Sequence, residues 1–482
     1  MAELSDRIAA NLTVLNVVGL VAAGLLTILL HAGFALVETG LCRAKNAAHT
    51  MSMNLMVFAM SSLAFWAFGF ALGWGNFAHG PGTAAWTANL GIRNCPLDAG
   101  LGLKPEWDPV TGASSGGFKY GIVGRRGFFF GRLDEGGLAA LFFFMMALMT
   151  VAATIPTGAM AERWNWKNCC WFAIWIAIPF GIYAHWVWGG GLLAQSGMNW
   201  HMGHGAVDLA GSGVVHGLGG IVGLVGAVLL GPRTGKYSQG RPQPLPGHHV
   251  PMVVTGTLVL AVGWCGANGG CVLAGSDLSL AGIVVNTLLC GAAGSVAAMC
   301  TLRAKRMKPD PTLLCNGLLA GLVASSATCG FVDAWAAVFI GAVAGTLVVH
   351  SVFFLEKRKI DDPVGAISIH GLSGLWGLLA LGLFANGRHG AGWNGVVRSA
   401  LVERYGSDGV RGLFFGDPSQ LMAQLTAAAV LVVFATAIAY VAFGLSQRAA
   451  PLRVSREDEG EGLDGASMGA AGYPDFTFAK RG

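Results

Sequence analysis

The sequence predicts an all-α integral membrane protein of about eleven transmembrane helices, N-terminus outside and C-terminus inside, with an inverted five-helix repeat around a central pore. Three observations lead there. The chain is 54% hydrophobic and only 11% charged, with a mean hydropathy of +0.59, where a soluble chain carries about 25% charge, so its main solvent is lipid. Apolar stretches near 20 residues, enough for a helix to cross a ~30 Å hydrocarbon core, recur about eleven times. One Asp- and His-bearing pattern occurs twice, five stretches apart.

The spans fall at residues 12–37, 52–76, 136–160, 168–193, 208–231, 249–272, 278–302, 311–328, 331–355, 363–386 and 420–446. The first outruns the ~7–15 apolar residues of a secretory signal and has no early cleavage pattern, so it counts as a helix. Alternate connections carry the basic residues: Arg43 and Lys45; Arg163 and Lys167; Arg233, Lys236 and Arg241; Arg303 to Lys308; and Lys357 to Lys359. The short connections between them carry none, and by the positive-inside rule the basic set is cytoplasmic. The membrane domain then covers 1–446, with extracytoplasmic loops at 77–135 and 387–419, and 447–482 is a cytoplasmic tail. The loops are Gly-rich and hold Pro96, Pro105, Pro109 and Pro418. The acidic run Glu457, Asp458, Glu459 and Glu461 reads first as a solvated end. The 74 glycines follow no Gly-x-y period, which excludes collagen and fits close helix packing in lipid. The ten cysteines show no ladder or zinc spacing, so neither a disulfide framework nor a metal site is expected.

The fifth span reads Asp208, seven residues, then His216-Gly-Leu-Gly-Gly-Ile-Val-Gly-Leu224; the tenth, Asp362, seven residues, then His370-Gly-Leu-Ser-Gly-Leu-Trp-Gly-Leu378. Because the offset of five is odd, the copies cross the membrane in opposite senses, the inverted repeat of many transport proteins. Eight residues at 1.5 Å each carry each His roughly 12 Å inward from its Asp, so the two imidazoles can meet near the midplane. A lone intramembrane His reads as a hydrogen-bonded packing residue. Two at matched depth point to a cavity or relay, and imidazole can donate, accept and shuttle a proton near neutral pH. Gly213 with Gly217, and Gly219 with Gly223, permit close helix contact around His216. Asp208 suits capping of a helix N-terminus, a role compatible with lowering the energy of a nearby cation. Asp361 and Asp362, on the cytoplasmic side, suit pairing or capping. Upstream of Asp208, His185-Trp-Val-Trp188-Gly-Gly-Gly191 offers either an interfacial Trp belt or a vestibule whose Trp face attracts a cation, and the triple Gly favours the vestibule.

These residues carry a family resemblance. The chain resembles an ammonium transporter of the Amt/Mep/Rh family, nearest the bacterial Amt branch, through Gly33-Phe-Ala-Leu-Val-Glu38-Thr-Gly40, Arg43-Ala-Lys-Asn46, Gly158-Ala-Met-Ala-Glu-Arg163, His185 to Gly191, the two His segments, Lys308 to Leu322 and the tail from Leu452 to Phe476. The resemblance implies a homotrimer in the plasma or inner membrane, with one pore per subunit. It places Trp188 and Phe144 at an external cation site, Asp208 beneath it, and His216 and His370 at the twin histidines. Ammonium is then recruited, deprotonated, and crosses as ammonia. Two departures concern the gate: the Amt branch usually stacks two phenylalanines there, and the corresponding positions here are Leu148 and Ala267. Cys271 takes the place of the hydroxyl often found at the cation site, and is a weaker hydrogen-bond partner.

The same scaffold admits a non-conducting ammonium sensor, or a Rhesus-type channel for neutral ammonia or carbon dioxide. A sodium-coupled symporter is disfavoured because matched half-helix breaks are not evident in the sequence. No nucleotide loop, hydrolase elbow or carboxylate pair appears, so neither an enzyme, a cofactor nor a nucleic-acid partner is expected. The implied partners are ammonium or ammonia, the lipid bilayer, other subunits of a trimer and a PII-type regulator at the cytoplasmic face. The resemblance also implies that the tail docks under a neighbouring subunit and governs conduction.

Overall fold

The computed structural model describes residues 2–75, 90, 100–103 and 120–475. Among these, eleven helices are long and apolar enough to cross a membrane: α1 (Glu3–Leu41), α2 (Ala44–Trp74), α3 (Gly136–Met160), α4 (Trp166–Val187), α5 (Ser212–Leu230), α6 (Val250–Gly270), α7 (Ser279–Ala304), α8 (Pro311–Thr328), α9 (Ala334–Lys357), α10 (Ile367–Phe384) and α11 (Pro418–Ala449). All eleven sequence-predicted spans are present. Helix α1 starts well before residue 12, because helix continues through a polar first turn where Arg7 reaches Glu3 at 2.8 Å. Most of the 77–135 connection lies outside the described residues, as does Phe476. What is described includes an antiparallel ribbon, β1 (Gly100–Leu103) with β2 (Tyr120–Gly124).

Several helices start where the sequence dictates. Asp310 and Asp417 each accept a backbone N–H two residues on, and Pro311 and Pro418 follow them at the first helical position, where a missing N–H costs nothing. Asn165 caps α4 in the same manner.

Two pairs of equivalent helices from the two halves meet. Helix α1 runs along α6, and α5 crosses α10 at Gly220 and Gly371, where a Cβ on Gly220 would lie 2.1 Å from the Gly371 amide nitrogen. Only hydrogen on Gly220 allows that crossing. The other small residues of α5 face α10, α11 and α3: Gly213 meets Leu378, Gly217 meets Leu431, Gly219 meets Ile155 and Gly223 meets Ala159.

The basic connections converge on one face. Glu162 accepts from Arg43 at 2.5 Å and from Arg233 at 2.6 Å, Arg233 also holds Asp361 at 2.8 Å, Lys236 reaches Glu356 at 2.6 Å, and Lys305 lies 6.0 Å from the Phe353 ring centroid. Burial alone would raise the pKa of Asp361, but the Arg233 guanidinium overrides it and holds the carboxyl at about 2. The tail folds onto this face as a short helix, α12 (Arg456–Glu461), followed by an irregular turn. Its acidic run is therefore divided. Glu457 and Glu461 are exposed, but Glu459 is buried, taking Arg453 at 2.7 Å and the Thr234 amide at 2.6 Å. Asp464 is buried too, accepting the His49 amide at 2.9 Å. The solvated-end reading fails for Glu459, because the Arg453 guanidinium and the Thr234 amide replace the water it loses. The docking seen is onto the chain's own helices.

Candidate functional site

Helices α5 and α10 both begin with a carboxylate that gathers amides. Asp208 accepts from Gly211, Gly213 and Val214 at 3.1, 2.8 and 2.9 Å; Asp362 accepts from Gly365, Ala366 and Ile367 at 3.0, 3.0 and 2.8 Å. Both helices then open with a π-helical turn, Ser212–Gly217 and Ile367–Leu372, and each turn carries its histidine. The matched irregular starts that the sequence does not disclose are therefore present. Asp361 and Asp362 divide the expected roles: the first pairs with Arg233, the second caps.

The two turns bring the imidazoles together. His370 Nδ1 lies 3.2 Å from His216 Nδ1, with both rings about 3% exposed. At that distance one Nδ1–H donates to the other's lone pair, so in the neutral pair one Nε2 is left as an acceptor and the other as a donor. Trp264 of α6 lies flat against His216, centroids 4.8 Å apart, and nearly parallel to His370 at 6.3 Å, its own N–H donated to Ser326 at 3.0 Å. Phe34 of α1 flanks His370 at 5.6 Å. The motifs do not single out Trp264, although it stands three residues before Ala267 in the same run. They do not single out His31 of α1 either; its ring nitrogens sit 2.8 and 3.2 Å from the Thr150 and Thr154 hydroxyls, the satisfied packing histidine that His216 and His370 are not.

On the outer side the remaining residues converge in one region. The Trp188 indole N–H donates to the Asp208 carbonyl at 2.6 Å, and Trp188 is 5% exposed, which excludes a lipid-facing belt position. The glycines after it allow that placement: a Cβ on Gly189 would lie 2.3 Å from the Gly73 carbonyl. Phe144 packs its ring on Gly270, next to Cys271. Cys271 in turn lines a cavity with Leu209, Ile283, Phe331, His389 and Trp393. Leu148 and Ala267 are buried, one turn deeper than Phe144 on α3 and one turn outward of Trp264 on α6. On the inner side a narrow cavity of about 10 Å³, near the volume one water needs, is lined by His370, Phe34, Glu38, Ile155, Val364 and Ile369. Among the described residues no cluster of His, Cys, Asp or Glu has the form of a metal site.

The sequence matches the Ammonium Transporter Family over residues 17–473. It is 39% identical to ammonium transporter Amt2 of Archaeoglobus fulgidus over 94% of this chain and 87% of that one, and 32% identical to Amt1 of Haloferax mediterranei over 96% and 80%. Among solved structures, one described as a sensor Amt protein superposes with a TM-score of 0.76 at 29% identity, covering 95% of this chain and 99% of its own. Mep2 of Candida albicans, at 22% identity and a TM-score of 0.70 over 92% and 87%, shares the fold. The two sequence relatives are named as transporters, and none of the proteins named is an enzyme. The chain belongs to the Ammonium Transporter Family.

Proposed function

We propose that this protein is an ammonium channel of the plasma or inner membrane that recruits the cation at an outer site, removes a proton and conducts ammonia past His216 and His370. The observation that carries this reading is the 3.2 Å contact between the two imidazoles, in a buried slot walled by Trp264 and Phe34. A paired imidazole with one free acceptor end and one free donor end matches ammonia, which is both, and can pass a proton along the same path. Trp188 and Phe144 supply aromatic faces for the arriving cation, worth about 0.5–2 kcal/mol or more when it is desolvated. Asp208 adds negative potential, although its oxygens are already engaged by amides, so it acts on the cation through space and not as a ligand. Cys271 lines the neighbouring cavity as a weak partner. Leu148 and Ala267 form an apolar, non-aromatic gate. Potassium cannot surrender a proton there and would have to dehydrate without compensation. We further propose a homotrimer, with a PII-type regulator as a partner at the cytoplasmic face.

A second reading, a sensor that binds ammonium without appreciable flux, is favoured by the likeness to the structure described as a sensor Amt protein. The test is the current from full-length protein in liposomes on a solid-supported membrane after an ammonium jump, with potassium and methylammonium as comparators and His216→Ala, His370→Ala as a control. An ammonium current that loses size or selectivity without the histidines supports the channel. Binding without current supports the sensor, and liposome swelling without current supports neutral ammonia permeation.

A further inference from the structure

Glu38 is a buried carboxylate one turn from the cytoplasmic end of α1, 2% exposed, and it lines the same water-sized cavity as His370. Its oxygens accept from Asn54 of α2 at 2.8 Å and from Thr157 of α3 at 2.8 and 3.0 Å. The cytoplasmic ion pairs begin at Glu162 and Asp361, and among the described residues none includes Glu38. The ionisable groups around it are His370 across the cavity, Asp362 at the start of α10, and the thiols Cys42 and Cys169. Tying α1 to α2 and α3 does not require a charge, since the single carbonyl oxygen of a Gln could accept from both Asn54 and Thr157. An unpaired carboxylate in that position is costly in a membrane interior and marks a proton or ion path. Asn54 Oδ1, beside it, is buried without a partner and is free to accept an N–H.

We propose that Glu38 is the inner proton carrier of the pore. It takes a proton from the imidazole pair across the cavity, becoming a carboxylic acid. It then gives that proton to ammonia arriving on the cytoplasmic side, which leaves as ammonium while Glu38 returns to carboxylate. His370 and Glu38 line the same cavity of about 10 Å³, room for one water to bridge the transfer. This inference rests on the channel reading above.

The test uses full-length protein in liposomes, with ammonium-jump current and, in parallel, internal alkalinisation by imposed ammonia gradients. Glu38→Gln is expected to lower the current about tenfold or more while ammonia uptake persists. Glu38→Asp is expected to restore part of the current with a displaced pH profile, which a merely structural tie would not produce. A Glu38→Gln current within about twofold of wild type, with an unchanged pH profile, overturns the role of Glu38 alone. Loss of both current and ammonia uptake in the Gln and Asp variants alike also overturns it, in favour of a structural tie. No current from the wild type, with ammonium bound, overturns the channel reading and the proton role together.

Discussion

At the outer mouth of the pore Asp208 gathers three amides at the start of α5, and at the inner mouth Asp362 gathers three at the start of α10, yet the two mouths treat charge in opposite ways. Around Asp208 stand Trp188, Leu209 and, through the cavity wall, Cys271. Beside Asp362, Asp361 is locked to Arg233, which also holds Glu162, which in turn holds Arg43. Both helices need a carboxylate to satisfy their first amides. Among the described residues, the inner one stands beside Arg233 and its ion pairs, while aromatic and apolar groups surround the outer one. A cation approaching from outside therefore meets uncompensated negative potential and aromatic faces, while one at the inner mouth meets a neutralised network. One repeated fold thus presents different surfaces on its two sides, and the asymmetry lies in the neighbours of the repeat.

The largest effect expected is at the inner network. Arg233→Ala would leave Glu162 and Asp361 buried without a common cation, at a cost of about 3–5 kcal/mol. Thermal unfolding of the purified protein should fall sharply or the protein fail to purify as a single species; a near-wild-type Tm would mean the network is not a stabilising unit. The two caps come next. Asp208→Asn and Asp362→Asn should each cost about 1–2 kcal/mol, equally, because each loses charge-assisted bonds to three amides. Ammonium affinity, read from the concentration giving half-maximal current, should weaken for Asp208→Asn and stay within about threefold for Asp362→Asn. Equal weakening at both would break the contrast between the mouths.

Acid sharpens it further. The Asp361 carboxyl is held at about 2, below its ordinary value of 3.8, so its contribution is full above that ordinary value and is lost as pH falls through the folded value. That contribution is about 2 kcal/mol. Tm measured from pH 5 downward should drop most steeply between about 4 and 2. Asp361→Asn should lower Tm at pH 5 and flatten that descent, and a descent of unchanged steepness would place the acid-sensitive group elsewhere.

Much of this architecture is legible in the residues themselves. Hydropathy separates lipid from water along each helix, so eleven spans are readable from composition, and Asp208, His216, Asp362 and His370 stand out because the pattern is written twice. Trp264 and Glu38 are not legible as members of a site. Each sits in an apolar run whose periodicity says how deep it lies but not which neighbour it meets, and Trp264 reaches His216 only through the rotation of α6 against α5. The tail misleads for a related reason. Glu459 looks like solvated charge in sequence, and its partners, Arg453 apart, lie hundreds of residues upstream at Lys45 and Thr234.

The tail gives the smallest expected effect and the most local one. Burial opposes ionisation of Glu459, but the Thr234 amide and Arg453 outweigh it and lower its pKa, so the residue docks as an anion. Glu459→Gln keeps an acceptor for Thr234 and loses the charge facing Arg453, a change of about 1 kcal/mol. The membrane helices do not depend on that pair, so Tm should move by less than about 2 °C. The amides of α12 and the turn after it should instead exchange with solvent severalfold faster, because what remains to anchor them is a few separate hydrogen bonds, among them the Lys45 ammonium on the Glu459 and Gly460 carbonyls, the Leu463 amide on Asn46, the Asp464 contact with His49 and the Tyr473 hydroxyl on His248. Faster exchange confined to residues 456–473 would show a tail that opens as a unit from a rigid cytoplasmic face. Faster exchange reaching Arg233 would show that tail and network are one cooperative body, and the inner mouth would then be coupled to the tail through the same ion pairs that neutralise it.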